Sequence, residues 1–253
     1  MKPKLQHLRV LDKDQPLAQL QVNMSNALAR SAHSLNLSEK RIIAACIAKT
    51  DQMPNMEKVQ QRGAWLVRLS AADYAETFGV DLDTAYTQLQ SASKNLFRRY
   101  IRTTRNTRKG VEVYECRWVG GVRYHKGEGW VELDWWHEVV PHLFNLKGDF
   151  TKYKLKQASA LRSAYSWRLF ELMQSWQDTG LYQTSIEDFC TVMEVPESYQ
   201  KNFRETRRRV IEPAVQELIE KNNMLITWTT QNAGRKVIGL EFKFKPNPQQ
   251  SLL

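Results

Sequence analysis

Apolar residues in this chain recur at two spacings, three-or-four and two, and the spacings alternate in the same order in both halves. A helix-period stretch over about Ser38–Lys49 sets Ile42, Ile43, Cys46 and Ile47 on one side. A second, LSAADYAETFGV at 69–80, opens on Ser70 with Asp73 three residues on. In that pairing the hydroxyl takes an orphan backbone N–H and the acid meets the positive end of the helix. Tyr74 and Phe78 then make one apolar stripe, and Gly79 stops the helix. Leu82, Tyr86, Leu89, Ser93, Leu96 and Tyr100 mark a further helix, leaving Thr84, Gln88, Ser91, Lys94 and Arg98 outward. Strand-like runs follow at Arg102–Arg105, Val111–Val122 and Trp130–Leu133, parted by glycines at 110, 120–121 and 127–129.

The second half repeats this succession. A helix over about Ser163–Trp176 is spaced to bury Tyr165, Leu169, Leu172 and Trp176. TSIEDFCTVMEV at 184–195 then matches the 69–80 segment at an offset of 115 residues. Ser185, Asp188, Phe189, Met193 and Val195 stand for Ser70, Asp73, Tyr74, Phe78 and Val80, and Pro196 is the stop. Phe203, Val210, Ala214 and Leu218 set the buried face of the next helix. At about 100° per residue Lys201, Arg204, Glu205, Arg208 and Glu212 lie opposite. Arg207 and Arg209 flank them, with Arg207 nearest the buried edge. Pro213 removes a backbone bond and predicts a kink near the preceding turn. Met224–Thr230 and Val237–Phe244 read as strands joined through QNAGRK at 231–236, the latter half-buried. Each half is therefore helix, helix–turn–helix and β-hairpin. That is an α+β chain with a winged-helix arrangement present twice, its boundary expected between Phe144 and Ser159 in the polar stretch Asn145–Lys156.

Composition adds a partner class. Of 253 residues, 42% are hydrophobic, which excludes a disordered or collagen-like chain, and the net charge of +10 points to a polyanion, an acidic partner or an anionic membrane surface. Residues 1–126 hold 21 Lys and Arg against 11 Asp and Glu, whereas 127–253 hold 16 of each. Much of the excess lies between Lys94 and Lys126, and a second basic run occupies 201–209. No apolar run reaches membrane-span length, and the start MKPK reads as no secretory signal. Three widely spaced cysteines argue against a disulfide framework and fit a reducing cytoplasm.

A helix–turn–helix offers its second helix to the DNA major groove, where base edges present distinct donors and acceptors. Arg204 and Arg208, four apart, project from one face and reach base edges together. Glu205 accepts from a cytosine amine or pairs with Arg208 or Arg209; both roles stay open. Lys201, Arg207 and Arg209 suit phosphates, and Arg235 and Lys236 at the wing tip suit a phosphate, a minor groove or plain solubility. In the first half Gln88, Ser91 and Lys94 are the matching candidates. Arg98 and Arg99 lie near the helix C-terminus, where the dipole also favours cations.

Enzymatic constellations are missing from the pattern. There is no phosphate-binding GxxxxGK[ST] loop. HEVVPH at 137–142 spaces its histidines one residue too far for a zinc-protease helix, and Pro141 breaks it, so it reads as structural. No His-hydrophobe-His pair is present for a nicking enzyme's metal. Asp81 and Asp83 read as helix caps, Cys46 and Cys190 as small core residues. No catalytic residue, metal site or cofactor is expected.

The ordered motifs NALA at 26–29, LSEKR at 37–41, DYAETFG at 73–79, PHLF at 141–144, FTKY at 150–153 and YSWRLFE at 165–171 complete the picture. With Tyr199-Gln200, RRR at 207–209, Gly234-Arg235 and FKF at 242–244, they make a chain that resembles the iteron-binding plasmid replication initiators, Rep proteins of the F-plasmid type, over roughly Val22 to Pro246. The resemblance implies two winged-helix domains in tandem related by pseudo-two-fold symmetry. They divide into a flexible arm at 1–22, an N-terminal domain at 23–145 for dimerisation and DNA backbone contact, a linker at 146–157, a major-groove-reading domain at 158–246 and a tail at 247–253. It implies a non-enzymatic protein of the bacterial cytoplasm, plasmid-encoded and independent of membranes. Monomers would bind origin iterons and help open the origin; homodimers would bind an operator inverted repeat and repress their own gene. Besides double-stranded DNA, the implied partners are the host initiator, helicase and chaperones. The main base contacts would fall on Lys201, Arg204, Glu205, Arg207 and Arg208. The chain departs from some relatives in Pro213 and in the length between Tyr199 and Arg207. Three other readings compete: a double winged-helix transcription regulator without a replication role, a nicking or priming enzyme, and a scaffold for host helicase.

Overall fold

Two three-stranded sheets with the same strand order organise the chain. The computed structural model describes residues 15–50, 65–144, 146 and 148–246. The first part contains β1 (Gln21–Ser25), α1 (Asn26–Ala29), α2 (Leu37–Thr50), β2 (Leu66–Ser70), α3 (Ala71–Phe78) and α4 (Leu82–Leu96). Then come β3 (Tyr100–Thr107), β4 (Gly110–Arg117), β5 (Val119–His125), β6 (Trp130–Trp135) and β7 (Phe150–Lys154). The second part contains α5 (Leu155–Ser159), α6 (Ala164–Gln174), β8 (Leu181–Ser185), α7 (Ile186–Val192), α8 (Glu197–Gln200) and α9 (Phe203–Thr206). A π-turn (Arg207–Ile211), α10 (Glu212–Asn222), β9 (Met224–Ala233) and β10 (Lys236–Pro246) complete it. The sheets run β2-β6-β5 and β8-β10-β9, so each winged-helix repeat is a strand, two helices and a hairpin whose last strand sits in the middle.

The repeat is visible atom by atom at its entry. Ser70 Oγ accepts from the Asp73 N–H and Ser185 Oγ from the Asp188 N–H, both at 3.0 Å. Each serine ends an edge strand in an extended conformation and caps the helix that follows, so the strand-to-helix junction is built the same way twice. The strands β2 and β8 were not among the expected elements. Both are five residues long, too short for an alternation to stand out.

In the first repeat the expected strand Val111–Val122 is two strands. The chain breaks at Trp118, whose buried indole donates to the His33 carbonyl at 3.0 Å. This frees β3 and β4 to form a separate, mostly exposed hairpin that the second repeat lacks. The buried stripe of α4 is Ala85, Leu89, Ala92 and Leu96, and Leu82 is 47% exposed. Asp81 caps this helix by accepting from the Thr84 N–H at 2.7 Å. Leu82 is thereby its first residue, in an exposed opening turn. Tyr86 lies across Gly129, where a Cβ would fall 2.1 Å from the ring; only glycine admits that approach.

The stretch 146–157 is not a linker. Within it β7 pairs antiparallel with β1, from Gln21 opposite Lys154 to Ser25 opposite Phe150, and Thr151, Tyr153 and Leu155 are buried. Lysines at 152, 154 and 156 gave the segment its polar average, and they mask the alternation that buries every second residue. The expected arm is also corrected from residue 15 onward, because Leu17, Leu20 and Val22 are buried. Residues 1–14 of that arm and the tail at 247–253 lie outside the described residues.

Both repeats share one apolar core. Helix α6, expected to open the second domain, also seals the first. Its Arg168 donates to the carbonyls of Ala29 (3.2 Å) and Ser31, and its Glu171 accepts from Lys40 on α2 (2.6 Å) and from the Tyr153 hydroxyl on β7 (2.8 Å). No described helix is long and apolar enough to cross a membrane.

Candidate nucleic-acid interface

In the second repeat, α8 starts after Pro196 and ends at Lys201, which pairs with Glu197 at 3.4 Å. Lys201 therefore stands in the turn before the second helix and not on it. Asn202 begins that helix: its side chain accepts from the Arg204 N–H at 3.0 Å. Sequence reasoning missed this cap, although Asn ahead of a charged helix is a standard start signal.

Arg204 is exposed, and its guanidinium has no ion pair or hydrogen bond among the described residues. Glu205 holds two arginines at once, accepting from Arg208 at 3.1 Å and from Arg209 at 2.6 Å. The hydrogen bond from Arg209, then that from Arg208, keep its carboxyl below the usual carboxylate range. Of the two roles open to Glu205, the ion pair is the one seen in the free protein. Arg209 also stacks over Tyr199, 5.0 Å from the ring centroid.

Arg207 is not tucked at the buried edge. It is exposed, donates to Glu212 at 2.7 Å, and lies 5.6 Å from the ring centroid of Trp228 on β9. The reason is the π-turn, in which the Glu212 N–H bonds the Arg207 carbonyl, five residues back. Pro213, expected to kink the axis, follows this widened turn. Tyr199 and Trp228 escaped sequence reasoning because they lie on other elements and meet the arginines only in the fold. The wing turns at Gly234 (φ +62°), leaving Arg235 and Lys236 exposed beside the helix's own hairpin.

The first repeat is sparser. Ser91 and Lys94 are exposed on α4 and Arg98 in the turn just after it, but Gln88 is half-buried and accepts from the Tyr74 hydroxyl. It is held inward as a packing contact. Arg99 donates twice to the buried carboxylate of Glu39, at 2.8 and 2.9 Å, and is structural. Arg102 and Arg105 pair with Glu115 and Glu112 across the β3–β4 hairpin. Arg68 and Arg123 share Glu132. Arg68, Arg99, Arg102, Arg105 and Arg123 are thus engaged in ion pairs, whereas Arg204, Arg235 and Lys236 have none among the described residues. His142, from the zinc-like motif, has its Nδ1 2.8 Å from Ser25 Oγ, and His137 packs on Trp136. Burial pushes the Cys46 thiol up to about 12 and Cys190 to about 11, as inert core thiols.

This arrangement is an anion-seeking helix face flanked by a basic wing, the geometry that enters a major groove. The family description "Initiator Replication protein, WH1" matches residues 21–174, and "Initiator Rep protein, WH2" matches 185–244. The first match runs through α6, past the boundary expected at 145. The chain is 25% identical to a replication initiation protein of Escherichia coli over 242 residues, 94% of this chain and 73% of the relative. It is 24% identical to an uncharacterized 27.6 kDa protein of Escherichia coli over 234 residues, 90% of this chain and 96% of the relative. Its fold is similar to that of the Pi initiator protein solved in complex with iteron DNA, with TM-score 0.73 and 20% identity over 91% of this chain and 99% of that one.

Proposed function

The chain belongs to the initiator replication protein family, and on that premise we propose that it is a plasmid replication initiator that binds double-stranded DNA in the bacterial cytoplasm. The single observation that carries the reading is the set of exposed arginines Arg204, Arg207, Arg208 and Arg209 on the second helix of the second helix–turn–helix, beside a wing tipped by Arg235 and Lys236. Arg204 and Arg208 read base edges, and the wing pair and Lys201 neutralise phosphates. Ser91, Lys94 and Arg98 give the first domain a second, weaker grip. That the Pi initiator, of similar fold, was solved in complex with iteron DNA supports iterons as the target here. On this reading monomers bind directly repeated iterons and help open the origin by binding and not by catalysis.

Homodimers bind an inverted repeat at the promoter and repress the gene. The exposed β3–β4 hairpin suits that pairing, because Val111 (64% exposed) and Val113 (56%) stand uncovered on a strand edge. Host initiator, helicase and chaperones complete the set of partners.

Footprinting on DNA flanking the gene tests the reading. Protection of direct repeats beside an origin, and of an inverted repeat at the promoter, is expected. Protection of the promoter alone would leave a transcription regulator, and protection of neither would sink the proposal.

A further inference from the structure

Pro213 and the turn before it bear on which bases are chosen, an inference that rests on the DNA-reading role just proposed. In an α-helix, residue 213 would donate its N–H to the Arg209 carbonyl. Proline has no N–H, and its ring presses on that carbonyl. The helix answers by taking one extra residue into the turn, so that the Glu212 N–H bonds the Arg207 carbonyl.

The extra residue changes what the helix presents. Thr206 and Ile211, five apart, are both buried. In a continuous α-helix they would point about 140° apart, since each residue turns the helix by about 100°. With the widened turn they share the inner side, and the three consecutive arginines between them all lie outside. Arg207 leans towards Glu212 and the wing residue Trp228, while Arg208 and Arg209 lean back to Glu205. The part of the helix after the turn is docked through Ala214 and Leu218. Closing the turn to α would therefore rotate the arginines against a fixed core and a fixed wing.

We propose that Pro213 is a positioning residue for sequence recognition: by imposing the π-turn it sets the phase of Arg207, Arg208 and Arg209 relative to the wing, and so the base that Arg208 meets when its neighbours rest on phosphates.

Pro213 is itself exposed, so Pro213→Ala opens no cavity and restores the missing N–H. The test is selection from a random duplex library by the full chain, wild type against Pro213→Ala, with affinities for the selected and for unrelated duplexes. The variant is expected to enrich a different sequence, and to bind the wild-type sequence about tenfold or more weakly, the loss of roughly one good base contact. Its affinity for unrelated duplex and its unfolding midpoint should not fall. Pro213→Gln, which also restores the N–H, should shift the preference in the same direction. Enrichment of the wild-type sequence at wild-type affinity by both variants overturns the inference while leaving DNA reading intact. If the wild type enriches nothing, the DNA-reading role falls, and this inference with it.

Discussion

Lys40 Nζ on α2 lies 2.6 Å from Glu171 Oε2 on α6, and both side chains are withdrawn from solvent. Glu171 also accepts from Arg168 at 3.0 Å and from the Tyr153 hydroxyl at 2.8 Å. One carboxylate thus balances two buried cations where the two repeats meet. Burial draws the Lys40 ammonium down to about 8, against the pull of Glu171. Removing the acid leaves Lys40 and Arg168 facing each other unpaired, whereas removing the lysine leaves Glu171 with Arg168. Glu171→Gln is therefore expected to cost about 3–5 kcal/mol of stability, and Lys40→Met less. Urea denaturation of both variants checks the order; a larger loss for Lys40→Met would contradict it.

His33 lies in the same cluster. Its Nε2 is 2.7 Å from the Leu28 carbonyl and so carries the proton; its Nδ1 then accepts from Lys40 and Arg168, each at 3.1 Å. Burial first, then the charges of Arg168 and Lys40, hold it well below its ordinary 6.5. Below pH 6.5 the unfolded chain takes up a proton that the folded chain refuses. Stability tied to neutral His33 is thus fully present above that pH and lost as pH falls, by up to about 1.4 kcal/mol per unit. His33→Gln should flatten the slope between pH 6.5 and 5 in denaturation midpoints taken across that range. An unchanged slope would assign the acid sensitivity to other groups.

On the proposed DNA-reading face, Arg204→Ala and Arg208→Ala should each weaken binding to the selected repeat by about 1–3 kcal/mol and unrelated duplex far less. Replacing Arg235 and Lys236 together should act on both DNAs alike and reduce the salt slope by about two phosphate equivalents. Gel-shift titrations at several salt concentrations separate the two patterns. Equal loss on both DNAs for Arg208→Ala would remove it from base reading.

The hairpin makes a prediction of its own. Val113→Lys places a charge on the exposed edge of β4 without touching the core. Light scattering should then show a shift from dimer to monomer, with binding to single repeats retained. A variant that stays dimeric would move the dimer contact elsewhere.

Helix periods and most of the caps were legible because they are local, although the Asn202 cap was missed. Ser70 and Ser185 announce their helices from within four residues, and the 115-residue offset between them carries the duplicated architecture. The basic arc at 204–209 was legible for the same reason. Among the placements that were not legible are β7 as a strand, Gln88 turned inward, Lys201 off the second helix, and Arg207 out in solvent beside Trp228.

The sequence by itself determined two winged-helix repeats and a cluster of arginines on the second helix of the later one. Spacing along a chain encodes which face of a helix is apolar, and that needs no distant partner. Only the tertiary structure decided which charges are available. Arg99 is taken by a buried carboxylate 60 residues away, Arg204 by none among the described residues, and the pairing of β1 with β7 turns an apparent linker into core. Those outcomes depend on which groups meet across the fold, and an ion pair or a strand partner at long range leaves no period in the sequence.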